Sequence, residues 1–180
     1  MRLAGIRQST KLGVLAVAGL MLLTSGCGNW VTDEFGGYLG VTVDDSGAPV
    51  ILVRACTPLT PYIELAEGRD NIPESEENVE RGAWEATQPQ DGISELTLLR
   101  PDRNWKTVST ASNLEPDKLF LVTAGSVDDN YFLSQAQFRP RELATLDGTS
   151  VLVPGDEDGG TRTISRQQFS SEGCTDPEYN

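Results

Sequence analysis

The sequence predicts an all-β fold, and three observations carry that expectation. Short runs of alternating or β-branched apolar residues recur along the chain, each about five to eight residues long, as strands are. Clusters of Asp, Asn, Gly and Pro separate them and act as turns. Apolar residues at helical spacing are confined to one short segment.

Leu39, Val41 and Val43 alternate with Gly40 and Thr42, so Tyr38 to Val43 reads as a strand buried on one face. DDSGAP, Asp44 to Pro49, is a turn in which Asp carboxylates bond nearby amides and Pro49 cannot donate to a ladder. Val50 to Ala55 is almost wholly apolar, as expected of a central strand covered on both faces. The two runs form a hairpin, and Tyr62 to Ala66 supplies a third strand. Gly68 to Gly82, GRDNIPESEENVERG, offers only Ile72 and Val79 for burial and reads as a solvated loop, with one helical turn at Ser75 to Val79. Its Glu74, Glu76, Glu77 and Glu80 are a hydrated charge run rather than a metal cluster.

Trp84 in GAWEAT and Ile93 to Leu99 resume strand character on either side of the turn QPQDG. Within Asn104 to Thr110, Trp105 and Val108 are expected to pack under a sheet edge. Trp84 and Trp105 read as core residues rather than as platforms for sugar rings. Leu119 to Ala124 is the most apolar run after the leader and belongs in the middle of a sheet. Asp128 to Asn130 turns the chain, and Tyr131 to Phe138 returns as a hairpin arm. In Arg139 to Leu146 a proline stands early and two leucines lie three apart, before Asp147-Gly148 stops the run, which predicts one short helix. Ser150 to Val153 is the last expected strand, and an acidic loop leads from Pro154 to the tail. Together these elements predict an antiparallel β-sandwich, Ig-like or related, of roughly seven to nine strands, with a small β-barrel as the second choice.

Ahead of these elements stands a different kind of segment. Arg2, Arg7 and Lys11 form a basic leader, and Leu12 to Leu23 is an apolar run of about twelve residues, short of the roughly 20 needed to span a bilayer. Thr24, Ser25 and Gly26 then precede Cys27. This segment resembles a bacterial prolipoprotein signal ending in a lipobox, with Thr24 standing where Leu or Val is usual. The resemblance implies that Cys27 is lipidated and that the chain is anchored on the extracytoplasmic face of the cell membrane. An ordinary cleaved secretory signal is the alternative reading. TVDDSGAPV, leading into a strand that ends at Cys56, likewise resembles small β-domains of actinobacterial-type envelope lipoproteins, a likeness that implies no activity. The expected organisation is a signal over 1–27, a tether over 28–37 (GNWVTDEFGG) and one β-rich domain over 38–180.

Three cysteines are an odd number, and lipid claims Cys27. Cys56 and Cys174 remain as an expected disulfide, in keeping with an oxidising compartment.

The chain carries a formal charge of -13, with 14 basic and 27 acidic residues. The leader holds three of the basic residues and no acidic one, so the exported part is at (14 - 3) - 27 = -16. That excess repels phosphate backbones, so nucleic acid is not expected as a partner; solubility is the plain reading of the charge and a basic ligand the sharper one, with an envelope protein or a small ligand as further partners to expect of a displayed module.

Histidine is absent, which removes Ser-His-Asp and Cys-His catalysis and the commonest zinc ligand. Ser-Lys chemistry would depend on Lys106 or Lys118, and neither lies in an SxxK pattern. Asp156, Glu157 and Asp158 begin like a calcium loop, but Gly160 stands where an acidic or amide ligand is expected and Gln167 where the bidentate Glu belongs. No catalytic residue, metal or cofactor is therefore expected. The expected role is a binding or interaction module, with a two-carboxylate hydrolase of envelope polymers or a structural spacer as alternatives.

Overall fold

The computed structural model describes residues 34–68, 78–111, 113–155, 160–171 and 173–174. The fold is all-β, as predicted, and it is built outward from one hairpin. Strand β1 (Glu34–Val43) pairs antiparallel with β2 (Pro49–Leu59), placing Val41 opposite Ile51. Asp44 closes the turn, its Oδ1 accepting from the amides of Ser46 at 2.8 Å and Ala48 at 2.9 Å. The bond from the Ser46 hydroxyl first, and those from the amides after it, hold the Asp44 carboxyl below the usual range.

The far edge of β2 pairs with β5 (Gln90–Thr97), so β2 is a central strand. Ile51, Val53 and Ala55 enter the main core, while Val50 and Leu52 point the other way, into a second apolar cluster. This double burial is the reason the run from Val50 to Ala55 is nearly unbroken in its hydrophobicity.

The other flank centres on β3 (Pro61–Glu67), which lies between β4 (Val79–Ala86) and β7 (Phe120–Ser126). Beyond β4 lies β6 (Trp105–Ser109). The free edge of β7 receives β8 (Tyr131–Leu133) and β9 (Ala136–Phe138), where Phe120 stacks on Phe138 with ring centroids 5.7 Å apart. Strand β8 also runs parallel to the first residues of β1, and β10 (Ser150–Pro154) meets the second half of β1. Outermost on that side is β11 (Thr161–Ser165). All the ladders are antiparallel except the one between β1 and β8.

The ladders join the strands into one mixed sheet. It curls, so that Leu39, Ile51 and Leu96 from one flank share a core with Ile63, Trp84 and Val122 from the other. Trp105 on β6 reaches across to β5, its indole Nε1 donating to the Glu95 carbonyl at 2.8 Å. Both described tryptophans, Trp84 and Trp105, are thus core residues, as predicted, whereas Val108 is half exposed and does not pack under the edge.

Several elements differ from the sequence expectation. Glu34 to Gly37, assigned to the tether, are the start of β1, because the Glu34 amide donates to the Asn130 carbonyl at 2.9 Å and Phe35 pairs with Phe132. The glycine pair is a structural demand of this strand: at Gly37 (φ +152°) a Cβ would lie 2.0 Å from the Arg54 carbonyl oxygen. Val79 and Glu80, placed in a loop and a helical turn, begin β4. The predicted arm from Tyr131 to Phe138 is divided into β8 and β9. The expected helix is a single turn, α1 (Pro140–Leu143), which buries Leu143 and is capped by the Arg139 amide donating to Glu142 Oε2. Past Pro154, where an acidic loop was expected, the described residues form β11 and a second helix, α2 (Arg166–Ser171).

The Trp105 contact makes the curl testable. Trp105→Phe is expected to lower unfolding stability by roughly 1 to 3 kcal/mol, through the lost donor and the lost volume, whereas Val108→Ala should move the urea midpoint little, as surface changes do.

Candidate functional site

Three features could carry a function. The first is built on the cysteine pair. Cys56 lies on β2, just past the point where the β2–β5 register shifts, and Cys174 lies beyond α2. They are disulfide-bonded, with Cα atoms 5.6 Å apart across a sequence separation of 118. Closing so long a loop stabilises the fold by about 4 to 5 kcal/mol in the chain-entropy account. The bond holds the C-terminal segment near the outer face of β2, where α2 inserts Phe169, 2% exposed, over Val50, Leu52, Val151 and Val153. Gly40 is the seat of that ring: a Cβ there would lie 2.5 Å from Val151 Cγ1 and 3.0 Å from Phe169 Cε2. A side chain at position 40 would force Val151 aside first and crowd the ring.

The second feature is ionic. In β3 the inward positions are Pro61, Ile63, Leu65 and Glu67, so an acid occupies the last place of an apolar series. Glu67 is 7% exposed. It accepts from Arg81 Nε at 2.8 Å and from Arg81 Nη2 through one oxygen, and from Lys118 Nζ through the other. Lys118 first, and Arg81 second, hold its carboxyl below the usual range. Glu67 in turn raises the Lys118 ammonium. A lysine held this firmly as a cation is the opposite of the neutral amine that a Ser-Lys base requires. Lys106 bonds Glu85 at 3.1 Å. The alternation in YIELAE was the signal for a buried ion pair, since a carboxylate in an inward phase needs partners.

The third feature is a cleft of about 230 Å³ between the β1–β2 turn, the segments after β5 and after β6, and α1. Pro49, Leu99, Leu114, Pro140 and Leu143 line it, with Asn113 as the polar group. Its volume falls below the roughly 300 to 1,000 Å³ of small-molecule sites and suits one inserted side chain. Leu99, 48% exposed, stands at this cleft. Arg100 lies beside it and spans to the turn, 3.5 Å from Asp44 Oδ2 and 2.9 Å from Ser46 Oγ.

Of the residues singled out in the sequence, Cys56 and Cys174 are brought together. Cys27, the whole signal, Glu74, Glu76, Glu77 and the stretch Asp156 to Asp158 lie outside the described residues. Glu80 is on β4, its carboxylate accepting from the Ser109 hydroxyl. Among the described residues, no group of three or more Cys, Asp or Glu could hold a metal ion. Comparison with protein-family models, curated proteins and solved structures finds no match to this chain.

The ion cluster sets a pH window. Glu67 ionises more readily in the fold than its ordinary value of 4.5, so its contribution is complete above that value and is lost as pH falls through the lower folded value. Lys118 is raised above 10.5, so its contribution is complete below 10.5 and is lost as pH rises through the higher folded value. Glu67→Gln should therefore lower the urea midpoint near neutrality and flatten the acid limb of the stability profile. An unchanged acid limb would show that this carboxylate does not govern it.

Proposed function

We propose that this chain is a lipid-anchored protein of the extracytoplasmic face of the cell membrane, attached through Cys27, whose β-domain acts as a binding or interaction module. The observation that carries the reading is the cysteine pairing. Cys56 and Cys174 are bonded to each other, which leaves Cys27, at the end of a basic and then apolar leader, as the odd thiol. One acyl chain gives only reversible attachment, and stable anchoring needs a second. A doubly or triply acylated cysteine meets that need.

The module reading is supported by a concave apolar cleft of side-chain size beside the half-exposed Leu99. A strong acidic surplus favours basic partners and disfavours nucleic acid. A two-carboxylate hydrolase would need one acid raised by an apolar setting. The described carboxyls that are displaced, Asp44, Glu67, Asp128 and Asp147, are all displaced downward by hydrogen-bond donors. We therefore prefer the module to the hydrolase, and a concave site favours it over a spacer.

Detergent phase separation of the protein made in a bacterial host tests the anchor. The wild type is expected in the detergent phase with a mass increment on the Cys27 peptide, and Cys27→Ser in the aqueous phase. An unmodified Cys27 in the mature wild type would refute the proposal.

A further inference from the structure

The outer face of β1, β2 and β10 is covered largely through one side chain. Phe169 closes the cluster formed by Val50, Leu52, Val151 and Val153, with Tyr38 and Ile164 at its margin, and no residue of α2 belongs to the main core. Helix α2 has six residues, too few to persist through its own hydrogen bonds. Beyond the bond from the Arg166 amide to the Thr149 carbonyl at 2.8 Å, which holds its first residue, its non-covalent ties outside the Phe169 contact are modest. Arg54 Nη1 donates to the Phe169 carbonyl at 3.4 Å. Arg166 pairs with Glu95 at 2.9 Å, but with side chains 38% and 49% exposed, a setting in which ion pairs contribute little. The strand that feeds α2, β11, is an edge strand with Thr161, Arg162 and Thr163 exposed. The covalent tie is the Cys56 disulfide, and its other partner, Cys174, is exposed.

We propose that the Cys56–Cys174 bond is a thiol-addressable latch, whose reduction by a dithiol releases α2 and uncovers the apolar face of β1, β2 and β10 while the main core keeps the sheet folded. One thiolate of the dithiol attacks the exposed Cys174 sulfur, and the Cys56 thiolate leaves and takes a proton. The second thiol of the reductant then displaces the Cys174 thiolate, which is also protonated. Two electrons pass from the dithiol, which becomes the disulfide, to the two cysteines. The opening is local because the inward residues of β2, Ile51 and Val53, pack with β1, β3 and β5 irrespective of α2. This inference is independent of the lipid anchor.

Hydrogen exchange on the full exported chain, before and after treatment with a dithiol, tests it, with alkylation of both thiols as proof of reduction. The segment 166–171 is expected to lose its protection, peptides from β2, β3 and β7 are expected to keep theirs, and a hydrophobic dye is expected to bind only the reduced protein. Cys174→Ser should reproduce this without reductant, and if that variant does not fold, reduction of the native protein still decides. The latch is overturned if 166–171 stays protected after reduction, if all strands lose protection together, or if the folded protein resists the dithiol.

Discussion

Strand β2 sets the terms for the whole domain, because its side chains from Val50 to Val53 are all buried and leave neither face free for water. On one side the curled sheet supplies the cover. On the other the cover comes from a segment more than a hundred residues away in sequence, through Phe169 seated over Gly40. The disulfide starts from the same strand, so the covalent bond and the apolar contact act on one element. The first hairpin and the C-terminal segment are thereby parts of one packing solution.

How far the sequence could be read follows from where each element gets its stability. Strands β1, β2, β3 and β7 have apolar patterns of their own and were legible. So was the turn at Asp44, whose chemistry is local. The stretch TRTISRQQF was not, because its buried ring is one residue in a polar context and its order comes from β10 and from a distant glycine. Glu34 to Gly37 looked like a tether for a similar reason, since their partner is β8 rather than a neighbour in the chain. The identity of each strand's neighbours, and the joining of the flanks into one sheet, are non-local facts that period-2 patterns do not contain. Of the candidate site, the cysteine pair was legible by counting. The Glu67 cluster could have been found by phase, while the cleft arises only when three separate loops meet.

The charge distribution has a similar logic. Arg81 and Lys118 serve Glu67, Arg100 serves Asp44, Arg141 serves Asp117 and Arg166 serves Glu95. Among the described residues, these cations are thus engaged at points where they brace turns or strands. The cations that matter most are Lys118 and Arg81, because the carboxylate they share is buried.

Strand β1 is the first described element to leave the ribosome, yet its lower and upper halves await residues near 132 and 152. Pairings this distant raise the contact order, which slows the search for the native topology. A first hairpin formed early carries a bare apolar outer face until the C-terminal segment reaches it, an interval in which self-association competes with maturation.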